Sequence, residues 1–508
     1  MHLDDAVRDG VRSLAARPAQ LLPFYVAGLA VPVVVRVVPF LGIFLAYLSV
    51  QGSGRLEAVR AELEPAAPIR VDDPRNSEEL EADGVDSEAL GEALLDLLTP
   101  TVIAILVVTA LVSIVLFAVM QSAISAGRLH AAFAVLSGEP GTRAGVDGVF
   151  EHTKTFLGLA ILELLAYVLL FAIPAGLIGV AASTGFALLI LPAVPLFFLA
   201  FFLVFTVRLV FAFARPSAVV DGVGALPALK GALGHVRGNL LQSLGYGAFT
   251  VGLVIVANTI GAAFSQAGAV TVQSLLPIVF VFPVTDVAKT SLYARDVSVP
   301  IDPPAEPEGG RLDRLRAGIG RGWSELVGFT RGHVGGVALS TAVLLAGVGV
   351  GLWAGQQVDD LFVTSIEARL GRQGPIGSFF HYAGNNWSVA AGQSLAGIAF
   401  GVPTIVSLAF NGANVGFLYQ LELDPDVLIA FVVPHGVIEI PALILSGALG
   451  LHLGRVGWGY GFGTADRDRI AAAIDRAFQV LVGLAVLFVL AAVIEALVSP
   501  YYWQLLGI

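Results

Sequence analysis

Four ionisable residues stand inside apolar runs long enough to cross a membrane: Arg36, Glu163, Glu439 and Glu495, with His435 beside the third. A charged group near the centre of a bilayer costs about 2.5–3.5 kcal/mol on insertion scales, so each needs a partner, a hydrated cavity or, for a carboxylate, a proton. His435 and Glu439 stand four apart and share one helix face, while Pro434 and Pro441 remove backbone donors around them and leave carbonyls free. Asn385, Asn386, Asn411, Gly412, Pro434, His435, Gly436, Glu439 and Glu495 together form a candidate intramembrane polar network. At 1.5 Å per residue Glu439 lies about 18 Å below the start of its span and Glu495 about 5 Å from the outer end of the last one, so a direct pair is not expected. His435, at intermediate depth, would link them, with Asn386 or Asn411 as amide partners. Such a chain could handle ions or protons, or simply satisfy buried groups and fix one helix arrangement.

Arg36 lies between Pro32 and Pro39 in the first span and Glu163 lies in the third, so an interhelical ion pair between them is expected. No metal site is expected, because His435 and Glu439 supply only two ligands and no second histidine lies near them in sequence. No HExxH motif, serine elbow or pair of aspartates at protease spacing occurs, which gives no catalytic residues, no cofactor and no enzymatic activity. The absence of cysteine excludes disulfides, thiolate metal sites and cysteine nucleophiles. Nor does any basic patch with interleaved aromatics argue for nucleic acid.

These residues are embedded in a chain of 508 residues that is 56% hydrophobic and only 13% charged, with a mean hydropathy of +0.84. Soluble domains carry about a quarter charged residues, so the fold class is an all-α polytopic integral membrane protein. Crossing a bilayer core takes roughly 20 apolar residues. Candidate spans fall near 21–49, 100–126, 156–180, 185–212, 240–263, 271–291, 333–354, 386–420, 427–453 and 474–498, giving about 9–11 crossings depending on how 386–420 is counted.

Lysine and arginine concentrate before the first span and in 127–154, 208–237, 289–331 and 455–476. The positive-inside rule puts these segments and the N-terminus in the cytoplasm of a cell facing its plasma membrane. The segment 51–98 then lies outside; its part from 55 to 98 holds 13 acidic and four basic side chains of a chain whose formal charge is -11. The alternation holds only if residues 386–420 return. As one helix they would be about 52 Å long against a ~30 Å core. A re-entrant hairpin bent near Pro403, or two short crossings, meets both constraints; one long tilted helix is the competing reading. Basic amphipathic stretches precede four of the spans, as interfacial helices lying on the cytoplasmic face would.

Taken in order, Asn385-Asn386, Pro403, Asn411-Gly412, Pro434-His435-Gly436 with Glu439, and Ile494-Glu495-Ala496 before Ser499-Pro500 resemble the stage II sporulation protein M family across roughly residues 330–500. In bacteria the resemblance implies a membrane component working beside wall-degrading partners during engulfment, without an activity of its own. The domains expected are a six-span membrane domain over 1–297, a Pro/Gly-rich linker over 298–313, and the family-like membrane domain over 314–508. The functional expectation is a non-enzymatic scaffold for envelope- or membrane-remodelling partners, self-association among them. A transporter or channel with a midplane site around Pro434-His435-Gly436 and Glu439 is the alternative.

Overall fold

The computed structural model describes residues 3–63, 69–70, 87–266, 268–366 and 374–507. The first helices are α1 (Leu3–Ala16), α2 (Pro18–Val50, with a 3-10 turn at Ala27–Leu29), α3 (Pro100–Leu136), α4 (Gly141–Thr184) and α5 (Ala187–Val220). Then follow α6 (Ala225–Gly238), α7 (Leu240–Gln266), α8 (Val270–Asp296), α9 (Arg311–Gly332) and α10 (Val334–Gly355). The last are α11 (Pro375–Ala396), α12 (Val402–Leu421), α13 (Pro425–Gly461), α14 (Arg467–Leu497) and α15 (Ser499–Leu506).

The protein is an all-α polytopic membrane protein: ten of these helices, α2–α5, α7, α8, α10 and α12–α14, are long and apolar enough to cross a bilayer. Their outward faces are apolar. Phe198, Phe201 and Phe202 on α5 are 70–75% exposed, a surface that only lipid covers at low cost. The acidic segment 51–98 falls partly outside the described residues. Its described ends are helices Arg55–Glu62 and Ser87–Asp96, tied by an Arg55–Asp96 ion pair of 3.0 Å.

The helices divide into two compact units. The first comprises Met1–Tyr25, Ala118–Thr259 and Leu276–Glu308. In it α5 packs against α4, α6 and α8, and α1 lies along α8. Phe156, Leu159, Phe213, Leu129 and Tyr293 fill its core. Its buried acids all face bases. The Asp286 carboxylate meets Arg128 at 2.6 Å and Lys289 at 2.7 Å and accepts from Tyr25 Oη, while Asp9 meets Arg295.

Glu163 departs from the pairing expected in sequence. It accepts from Arg208 at 2.7 Å, Arg215 at 3.0 Å and Tyr167 Oη at 2.8 Å, whereas Arg36 is exposed and has no acidic partner among the described residues. The reason is local. Arg208 and Arg215 stand seven apart on α5, two helical turns that bring both guanidiniums over the face of α4 carrying Glu163.

The second unit comprises Val26–Phe117, Ile260–Leu275 and Gly309–Ile508, so residues 26–117 and 260–275 pack with the C-terminal helices although they precede the Pro/Gly-rich segment. Here α14 packs against α9, α11 and α13, and α10 lies along α12. Residues 386–420 do not form one helix. The chain turns at 397–401, between α11 and α12, with Phe400 at φ 62° and Gly401 at φ 77° and Pro403 in the first turn of α12. A side chain at Gly401 would be strained at that φ. The turn is seated on α13, where Trp458 Nε1 donates to the Phe400 carbonyl at 2.9 Å and Gly450 and Gly454 let the two backbones touch. Small residues also bring α10 and α12 together: Gly412 and Gly416 of α12 press on the Leu344 and Val348 carbonyls of α10, and Gly347 and Gly351 of α10 press on those of Ala409 and Ala413.

Candidate functional site

The site lies where α13 and α14 cross. From α13, His435 and Glu439 project one turn apart; from the last turn of α14 comes Glu495. One donor atom from each of the three lies within 4.8 Å of the others, and His435 Nε2 is 3.9 Å from Glu495 Oε1. Three potential ligand atoms therefore face one point, where the sequence offered only two. His435 and Glu495 are 6% and 7% exposed, and Glu439 is half-buried.

Supporting groups surround this cluster. His435 Nδ1 lies 2.9 Å from Ser499 Oγ, at the start of α15, and the Asn386 side chain of α11 lies beside the Glu439 carboxylate. Yet Glu439 Oε2 and Glu495 Oε2 are buried with no hydrogen-bond partner among the described residues. Above the cluster Trp503 of α15 packs on Ile366, Val427 and Phe431, and the Phe431 ring meets that of His435 edge-on at 5.3 Å.

Other members of the expected network go elsewhere. Asn385 is exposed and donates to Asn386 at 3.2 Å. Asn411 donates to Ser407 O within its own helix, at 2.8 Å, and is not an amide partner of the carboxylates. Gly412 belongs to the α10–α12 contact. Pro434 and Gly436 flank His435 on an α13 that remains helical through both prolines.

The expectation that Glu439 and Glu495 differ in depth is corrected, since both carboxylates lie with His435, their ligand atoms within 4.8 Å of one another. It placed the outer ends of both spans at one level, but α13 has 37 residues and is about 55 Å long against a bilayer core of ~30 Å. Its first turns run past the end of α14 and lie beside α15 instead. The cluster also lies far along both helices from their basic residues. Glu439 is about 24 Å along its helix from Arg455, and Glu495 about 28 Å from Arg476, so it sits near the end of the span remote from the basic residues.

A second polar cluster escaped the sequence reading. Gln393 Nε2 donates to Ser446 Oγ at 2.9 Å, Ser394 Oγ to Ser446 O at 2.9 Å, and Thr404 Oγ1 to Gln393 O at 2.7 Å, all four residues fully buried. Its sequence signal was a run of Gln-Ser and Thr among small residues. Ser499 was visible only as part of the Ser-Pro that follows the last span.

An uncharacterized protein of Methanocaldococcus jannaschii is 31% identical to the chain over 120 residues, which is 23% of this chain and 67% of that one. No solved structure matches. The model of the family described as stage II sporulation protein M matches residues 340–500, a range that contains the turn at 397–401 and His435, Glu439 and Glu495. Through that C-terminal part the chain belongs to the stage II sporulation protein M family.

Proposed function

We propose that the protein is a non-enzymatic scaffold of the plasma membrane, holding envelope- or membrane-remodelling partners. The observation that carries this reading is the close packing of α10 on α12 and of α13 on α11, α12 and the turn at 397–401. Gly347, Gly351, Gly412, Gly416, Gly450 and Gly454 each leave no room for a methyl group. Helices so locked do not slide past one another without breaking many contacts at once, which suits a rigid platform better than a rocking carrier. The N-terminus and the basic loops face the cytoplasm. There α9 offers an amphipathic surface: Leu312, Leu315, Ile319 and Trp323 are exposed along one stripe, beside Arg311, Arg314, Arg316 and Arg321. Such a helix lies in the headgroup region and presents its charged edge to partners. In this reading α11, less apolar than the ten but covered by α13 and α14, and α12 make two antiparallel crossings, at 22 and 20 residues about 33 and 30 Å long, and the basic segment 455–476 returns to the cytoplasm.

A transporter is the second reading, favoured by the two carboxylate oxygens without donors near His435. One experiment separates the two. The chain has no cysteine, so Ser446→Cys, at the fully buried centre of the α11–α13 contact, can be challenged with a membrane-impermeant thiol reagent from each side of sealed vesicles. The scaffold predicts no labelling until the protein is denatured. Labelling of folded protein from both faces would establish a water path and replace the scaffold with transport.

A further inference from the structure

We propose that His435, Glu439 and Glu495 bind one divalent transition-type cation of the zinc or manganese class, near the end of the span remote from the basic loops. Five acids are buried among the described residues. Asp9, Asp286 and Glu163 each face at least one fixed guanidinium or ammonium group, and Glu422 accepts from Thr364 Oγ1 at 3.1 Å and from the Ile366 N–H at 2.8 Å. Among the described residues Glu495 has only the His435 ring as an ion-pair partner, at 3.9 Å, and its Oε2 has no donor. Beside it Glu439 adds a second carboxylate whose Oε2 is also unpartnered. A buried charge without compensation is strongly unfavourable, and two of like sign side by side more so. No arginine or lysine forms an ion pair with either among the described residues.

The donor set specifies what would compensate. Two carboxylates and a neutral imidazole carry a charge of -2, which one dication cancels. A nitrogen ligand among oxygens selects zinc, manganese or ferrous iron over calcium and magnesium, which prefer oxygen alone. Three protein ligands also leave a coordination position for water.

The geometry fits this chemistry. Metal–ligand bonds of 2.0–2.2 Å in a tetrahedral site place donors about 3.3–3.6 Å apart, so the 3.9 Å between His435 Nε2 and Glu495 Oε1 needs a closure of about half an ångström, and the Glu439 oxygen, within 4.8 Å of both, one of at most about 1.5 Å, which side-chain torsions supply. The surroundings are arranged as metal sites require. In the tautomer with its proton on Nδ1, beside Ser499 Oγ, His435 would turn the Nε2 lone pair to the cluster, and Asn386 stands beside the Glu439 carboxylate. The cation would join α13 to α14 directly and, through Asn386 and Ser499, draw in α11 and α15. This goes beyond the scaffold reading and does not depend on it.

The test uses the full chain, purified in mild detergent without a histidine tag, stripped with chelator and dialysed against zinc or manganese chloride. Bound metal is counted by elemental mass spectrometry and thermal unfolding is followed with and without metal. The expected result is about one equivalent per chain and a rise in Tm, both lost in Glu495→Gln, Glu439→Gln and His435→Ala. Asn386→Ala and Ser499→Ala, which leave all three ligands in place, should weaken binding by about 10- to 100-fold. These two also serve if a ligand variant fails to fold. Wild type holding no more metal than Glu495→Gln, or affinity unchanged in Asn386→Ala and Ser499→Ala, would overturn the proposal and leave protons as the carboxylates' counterions.

Discussion

The imidazole of His435 and the carboxylate of Glu495 meet at 3.9 Å, the first well inside α13 and the second in the final turn of α14. This contact fixes the axial offset of the two helices, so α13 projects past α14 and its first turns pack on the aromatic face of α15. A consequence can be measured. Ile429, 45% exposed on the projecting turns, should react as Ile429→Cys with an impermeant thiol reagent from the face opposite the one that reaches Thr464→Cys. Ile440→Cys, about 16 Å further along, should stay unreactive against lipid. If Ile429→Cys were shielded as completely as Ile440→Cys, the cluster would lie deeper in the bilayer than the offset implies.

The two carboxylates of that cluster give a prediction whose sign depends on conditions. In chelator, Glu439→Gln removes one of two neighbouring unpaired charges and should leave Tm equal to wild type or higher. With zinc present the same variant loses a ligand, and its Tm should fall below that of metal-loaded wild type. Differential scanning fluorimetry in both buffers reads the crossover. Curves that keep the same order in both would mean Glu439 has no role in cation binding.

Packing between α10 and α12 yields a paired test on opposite faces of one turn of α10. A methyl group at Gly351 would collide with the Ala413 carbonyl, whereas one at Gly349 meets nothing within 4 Å. Gly351→Ala must push the helices apart and should destabilise by about 1–3 kcal/mol. Gly349→Ala only restricts the unfolded backbone and improves helix propensity, and should stabilise by roughly 0.5–1 kcal/mol. Steric-trap or detergent-titration unfolding can rank the two. Equal effects would show that the α10–α12 contact is not the close approach described.

Much of this architecture is visible in the sequence, and the failures have one physical source. Spans announce themselves because about 20 consecutive apolar residues have few other uses in so uncharged a chain. The break between α11 and α12 was legible from length alone, since 35 apolar residues exceed the bilayer; the turn itself falls at Phe400–Gly401, just before Pro403. His435 and Glu439 were legible because helical spacing is local. What sequence does not carry is the sliding of one helix along another. Glu439 with Glu495, and Glu163 with Arg208 and Arg215, depend on such offsets, and side-chain type alone therefore assigned Arg36 and Asn411 to partners they do not meet.

The Glu163 site makes the last prediction. The carboxylate is 6% exposed and holds two guanidiniums, but the two differ: the Arg215 side chain is 21% exposed and that of Arg208 59%. Removing a partner from a buried pair costs about 3–5 kcal/mol, while a pair open to solvent contributes roughly 0–1 kcal/mol. Arg215→Met should therefore destabilise far more than Arg208→Met, and Arg36→Met should be close to neutral. Glu163→Gln should resemble Arg215→Met, because it strands the buried guanidinium. The double variant Glu163→Gln with Arg215→Met should recover part of the loss, since both charges leave together, and a thermodynamic cycle over the four proteins measures that coupling. Additive losses would mean that Arg215 is held by packing of its stem and not by Glu163.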